Sequence, residues 1–131
     1  MATSETSLRL LLVDDNKAFT DVLAMGLRAC GHTVMCVNNP TWAVDVARHF
    51  KPHALLSDLS MPMLDGLSLA KQLRKQPELM QTRLIAGTGN AEINNVNRCL
   101  DAGFDMYLEK PFTHREIHEI LVPRATVQAA A

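Results

Sequence analysis

The sequence predicts an α/β fold, a doubly wound five-stranded parallel sheet flanked by five helices. Three observations predict it: short apolar runs recur along the chain, helix-period segments alternate strictly with them, and the connections between the two are short. The apolar runs are Leu8–Val13, Thr33–Val37, Ala54–Ser57, Arg83–Ala86 and Met106–Leu108. Each is too short for a helix, and several are too continuously apolar to have one solvated face, so they suit strands buried on both sides.

Between the first two runs, Phe19, Val22, Leu23, Gly26, Leu27 and Cys30 follow the spacing of one helix face, and after the second run Ala43, Val46, Ala47 and Phe50 repeat it. A third helix is expected from about Gly66 to Lys75 with Leu69 and Leu73 inward. A fourth is expected from about Ala91 to Ala102 with Val96, Cys99 and Leu100 inward, and a fifth from Thr113 to Leu121. Thr113 with Glu116 three residues later has the spacing of a capping box, and Gly31 and Gly103 stand where a left-handed residue closes a helix.

A chain of 131 residues is the length of one domain, expected over residues 8–122, with short tails at 1–7 and 123–131. A formal charge of −1 provides no basic surface for nucleic acid. The polar N-terminus lacks the basic and apolar blocks of a signal peptide, and no apolar stretch approaches a membrane span, so a cytoplasmic protein is expected. Cys30, Cys36 and Cys99 are odd in number and widely spaced, which argues against disulfides or zinc and for small apolar fillers in a reducing compartment.

In an open parallel sheet, ligands bind beyond the carboxyl ends of the strands. Asp14, Asp15, Asp58, Thr88 and Lys110 all fall at such ends, on strands one, three, four and five. Three converging carboxylates repel one another and are costly to desolvate, and a divalent cation with oxygen ligands, such as Mg2+, removes both problems. Asp15 and Asp58 suit direct ligation, with Asp14 acting directly or through water. Asp58 stands alone on the central strand and suits the nucleophile of an aspartyl phosphate, while Lys110 and Thr88 suit the oxygens of a moving phosphoryl group. His114 and His118, four apart on the last helix, lack a third ligand for zinc, and His32, His49 and His53 read as solvated residues near element ends. The run Gly87-Thr88-Gly89-Asn90 has neither the lysine nor the spacing of a P-loop.

With these residues in place, the chain resembles the receiver domain of two-component response regulators from about Leu8 to Leu121. The resemblance is carried by LLVDDN at Leu11–Asn16, SDLSMPMLDG at Ser57–Gly66, the glycine-flanked Thr88, and YLEKPF at Tyr107–Phe112. It implies the strand order 2-1-3-4-5, Asp58 as phosphoacceptor, and Mg2+ held by Asp15, Asp58 and the main-chain carbonyl of Ser60, with Asp14 acting through water. It further implies that Thr88 and Lys110 bind the phosphoryl oxygens, that Tyr107 is the aromatic of the switch, and that the Lys110-Pro111 bond is cis. The implied partners are a histidine kinase or a histidine phosphotransfer protein and a downstream protein target, with neither nucleic acid nor membrane.

The family usually has alanine after the switch threonine, where this chain has Gly89. A more open phosphoryl site and faster loss of the aspartyl phosphate are the expectation. Two alternatives stand beside the receiver reading. One is a phosphorelay shuttle or a receiver cut from a hybrid histidine kinase. The other is a metal-dependent phosphatase working through an aspartyl phosphate, which would ordinarily place an acid two residues after the nucleophile, where this chain has Ser60.

Overall fold

The computed structural model describes residues 7–89 and 93–122. Five strands, β1 (Arg9–Val13), β2 (Thr33–Val37), β3 (Ala54–Asp58), β4 (Arg83–Thr88) and β5 (Met106–Glu109), form one parallel sheet in the order 2-1-3-4-5. The helices between them are α1 (Lys17–Ala29), α2 (Ala43–Phe50), α3 (Gly66–Arg74), α4 (Ile93–Ala102) and α5 (His114–Leu121). Both the predicted class and the strand order implied by the resemblance are realised. The expected start of the fourth helix at Ala91 and most of the two tails lie outside the described residues. Ser7 is described, and its hydroxyl donates to the Gly31 carbonyl at 2.8 Å.

Successive strand residues point to opposite faces, and the sheet uses this alternation to build two cores. On one face Leu11, Val13, Leu55 and Leu84 pack against α2, α3 and α4 through Ala47, Leu69, Leu73 and Cys99. On the other, Leu10, Leu12, Leu56 and Ile85 pack against α1 and α5 through Leu23, Leu27, Ile117 and Leu121. The central strands are therefore buried on both sides, as their unbroken apolar runs require, whereas β2 and β5 at the edges keep exposed residues.

Local chemistry fixes the element ends. Asn16 caps α1 by accepting from the Phe19 N–H, Asp65 caps α3 from the Ser68 N–H, and Thr113 with Glu116 forms the full capping box of α5. Gly31 and Gly103 carry φ of 99° and 118°, the left-handed region their positions demanded. The Lys110-Pro111 bond is cis.

Three positions differ from the sequence expectation, two read from helical period and one from its place near an element end. Val22 is exposed, because the buried stripe of α1 runs through Thr20, Leu23, Ala24 and Leu27 and leaves Val22 outside it. Leu100 is likewise exposed one residue beyond buried Cys99. His32 is buried rather than solvated: its Nδ1 accepts the Leu8 N–H at 3.1 Å and its Nε2 meets His118 Nδ1 at 2.8 Å. The three cysteines are free, Cys99 buried and the other two half-buried.

Candidate phosphoryl and metal site

The site stands at the carboxyl edge of β1, β3, β4 and β5. Asp14 follows directly on β1 and is buried, Asp58 is the last residue of β3, Thr88 is the last of β4, and Lys110 follows β5. Carboxylate oxygens of Asp14, Asp15 and Asp58 all lie within 4.8 Å of one another. The Lys110 ammonium reaches into this cluster, donating to Asp58 Oδ1 at 3.0 Å and to Asp14 Oδ2 at 3.3 Å.

Charge counting describes the cluster further. Three carboxylates and one ammonium leave two negative charges uncompensated, which a divalent cation would neutralise. The donors are all oxygens, the set a hard cation such as Mg2+ prefers. Asp14 has both oxygens engaged, Oδ1 with the Asn16 N–H at 2.9 Å and Oδ2 with Lys110, whereas Asp15 is exposed. That division suits Asp15 to direct ligation and Asp14 to a supporting place.

Burial holds the Asp14 carboxyl above the usual carboxylate range; the nearby Asp58 charge adds to this, while the Asn16 amide and Lys110 oppose it. Burial also works against the Lys110 ammonium, but its hydrogen bond to Asp58 and the charges of Asp14 and Asp58 outweigh that cost and hold its pKa above that of an ordinary lysine. Lys110 is thus a fixed cation at neutral pH. Its Nζ lies 4.9 Å from the centre of the Phe19 ring, and Phe19 meets Phe112 edge-on at 5.6 Å, so two aromatics support the lysine from the α1 side.

Close backbone approach shapes the loop after β3. A Cβ on Gly66 would run into the Asp58 carbonyl oxygen and lie 2.8 Å from Leu59 Cα, so α3 begins pressed against the backbone of Asp58. Ser60 is exposed in the intervening loop.

The two glycines flanking Thr88 differ in kind. A Cβ at Gly87 would sit 3.2 Å from the Phe112 ring, so this glycine makes room for the aromatic rather than for a ligand. At Gly89 a Cβ would meet none of the described residues within 4 Å.

Thr88 is buried, its carbonyl accepting the Lys110 N–H at 2.7 Å and its hydroxyl accepting from Asn95 Nδ2 at 3.1 Å. Tyr107 is 40% exposed on β5. Its neighbours Met106 and Leu108 pack into the α1 and α5 core, so the strand alternation places Tyr107 on the opposite face. The acids and Lys110 therefore meet directly, Thr88 joins them through the backbone of Lys110, and Tyr107 stands outside the cluster. Sequence reasoning missed Phe19 and Asn95. The available signals were an aromatic four residues after Asp15 and an amide seven residues after Thr88, each on the helix that follows its strand.

The family profile of the response regulator receiver domain matches residues 10–122. The chain belongs to this family. It is 34% identical over 111 residues to the response regulator MprA of Mycobacterium bovis, an alignment covering 85% of this chain and 47% of that protein. The chain thus spans about half the length of the curated relatives it matches.

Among solved structures, the receiver domain of the sensor histidine kinase PA1611 from Pseudomonas aeruginosa, with a magnesium ion in its active-site cleft, is 36% identical. It has a TM-score of 0.79, with 88% of this chain and 94% of that one covered. A Burkholderia pseudomallei response regulator with a phosphorylated aspartic acid, a calcium ion and citrate is 32% identical at a TM-score of 0.79, with 93% of this receiver and 71% of that chain covered. The receiver described here is a domain of two-component signalling, and none of its described helices is long and apolar enough to cross a membrane.

Proposed function

We propose that this receiver accepts a phosphoryl group on Asp58, with Mg2+ held by Asp15, Asp58 and the carbonyl of Ser60 and with Asp14 acting through water. The observation that carries the reading is the Lys110 ammonium, 3.0 Å from Asp58 Oδ1 within a cluster of three convergent carboxylates. One Asp58 oxygen is held by Lys110, and the other attacks phosphorus. An O–P bond forms as the P–N bond of a phosphohistidine breaks, and the departing imidazole takes up a proton from solvent water. Bound Mg2+ supplies charge neutralisation for the acids and for the phosphoryl oxygens. Lys110 holds its positive charge toward the same oxygens throughout, and the Thr88 hydroxyl donates to one of them once Asp58 is modified.

The donor is a histidine kinase or a histidine phosphotransfer protein, and the domain assists its own phosphorylation and dephosphorylation by this arrangement of groups. Phosphorylation shifts the population toward a state that a protein target recognises, with Thr88 drawn toward Asp58 and Tyr107 turned inward on the face formed by α4, β5 and α5. The receiver acts in the cytoplasm, as a separate regulator, a relay shuttle or the receiver of a larger kinase. The last of these finds support in the likeness to the PA1611 receiver, which is itself part of a sensor histidine kinase.

Intact mass after incubation with acetyl phosphate and Mg2+ tests the reading. One acid-stable, base-labile adduct is expected, absent in EDTA and absent in Asp58→Asn. An adduct that survives Asp58→Asn would overturn it.

A further inference from the structure

Thr88 is tied on two sides. Its carbonyl accepts from the Lys110 N–H, and its hydroxyl accepts from the side-chain amide of Asn95 at 3.1 Å. Asn95 lies in the first turn of α4, which begins at Ile93. A continuous hydrogen-bonded path therefore runs from α4 through Thr88 and Lys110 to Asp58.

Asn95 borders a different depression from the acids. It faces a groove with Ser60, Asp65 and Arg98, whereas Asp58 shares its depression with Asp14, Phe19 and Lys110. An amide N–H on a lone pair of the Thr88 hydroxyl thus aims that side chain toward α4. Threonine has few χ1 wells, so turning the oxygen toward Asp58 requires a rotamer change or a backbone shift that gives up the Asn95 geometry.

We infer that Asn95 is a positioning residue that latches the Thr88 hydroxyl to α4 in the unphosphorylated protein, and that opening this latch transmits the state of Asp58 to α4. The inference rests on Asp58 being the phosphoacceptor. A phosphoryl oxygen is charged, and a charge-assisted hydrogen bond is about twice as strong as the neutral amide-hydroxyl bond it replaces, so the exchange is favoured only after phosphorylation. Linkage makes the coupling reciprocal: weakening the latch strengthens the site's hold on a phosphoryl group.

The test is a double-mutant cycle in the full chain, using beryllium fluoride with Mg2+ as a tetrahedral phosphoryl mimic and following binding by fluorine NMR. Asn95→Leu, similar in size without a donor, is expected to bind the mimic about two- to tenfold tighter than the parent. In a Thr88→Val background the same substitution is expected to have a clearly smaller effect. In the unliganded protein, amide exchange in the body of α4 should rise in Asn95→Leu and in Thr88→Val, and in the double variant by less than the sum of the two.

Unchanged or weaker binding by Asn95→Leu, or an equal effect with and without the threonine hydroxyl, overturns the latch. Asn95→Ala takes its place should Asn95→Leu fail to fold. A parent protein that binds no beryllium fluoride in Mg2+ overturns the phosphoacceptor reading, and the latch with it. A parent that binds while the two substitutions act additively overturns the latch alone.

Discussion

Replacing Asp14 by asparagine should stabilise the metal-free protein, although it removes a partner of Lys110. The lysine attracts Asp14 at 3.3 Å by about 5 kcal/mol at an effective dielectric of about 20, and Asp58, no farther than 4.8 Å, repels it by about 3.5 kcal/mol or more. Exposed Asp15 adds a screened repulsion of about 1 kcal/mol or less. These terms nearly cancel. What remains is the desolvation of a carboxylate only 4% exposed, several kcal/mol in real proteins, partly offset by the Asn16 amide.

An asparagine keeps that amide contact through Oδ1 and keeps the volume, while its Nδ2, a donor where Oδ2 accepts from Lys110, turns the ammonium wholly to Asp58. Lys110 is not left unpaired, because Asp58 still holds it at 3.0 Å. The expected gain is about 1–3 kcal/mol in EDTA, a rise in Tm of about 3–5 °C for each kcal/mol at this chain length. In Mg2+ at about a hundred times its dissociation constant the parent should gain about 2.7 kcal/mol and Asp14→Asn clearly less, so the difference between them narrows or reverses. Urea denaturation at neutral pH with EDTA or Mg2+ measures both. An Asp14→Asn protein no more stable than the parent in EDTA would refute the reasoning.

Three further outcomes follow from the same geometry. Gly66→Ala drives a methyl into the Asp58 backbone and should cost about 1–3 kcal/mol or more, while reducing the response of Tm to Mg2+; an unchanged Mg2+ response would separate α3 from the placement of Asp58. Gly89→Ala places its methyl clear of the described residues, so the fold should tolerate it and loss of the aspartyl phosphate should slow; a decay no slower than the parent's would sink the idea that Gly89 opens the site. Burial and the neighbouring His118 hold the His32 pKa below the ordinary 6.5, so the unfolded chain binds more protons there and stability falls as pH drops through that value. The urea midpoint should decline from pH 7 to pH 5, this histidine contributing at most about 1.4 kcal/mol per pH unit, and His32→Gln should flatten the decline. An equally steep decline in His32→Gln would contradict the assignment.

Much of this arrangement is legible in the sequence because single residues have few alternatives. A left-handed backbone at Gly31 and Gly103, a capping box at Thr113 and Glu116, and unbroken apolar runs for central strands each follow from local sterics and burial. The convergence of Asp14, Asp58 and Lys110 followed from the alternation alone, since the carboxyl ends of parallel strands share one edge. What escaped depends on contacts distant in sequence. His32 reads as solvated until α5 brings His118 to it, and Gly87 reads as the equal of Gly89 in flanking Thr88 until the Phe112 ring fills the space beside it. Val22 fits the helical period as well as Leu23 does, and only the direction of the sheet decides between them. Asn95 carries no motif; its place is set by how α4 returns past the end of β4.

Reductive trapping with borohydride after incubation with acetyl phosphate and Mg2+ tests the central claim most directly, because an acyl phosphate is reduced to an alcohol at the residue that carried it. Peptide mapping is expected to find homoserine at position 58 and no reduction at Asp14 or Asp15. Reduction at either of those acids, or none after a phosphoryl adduct has formed, would contradict the account.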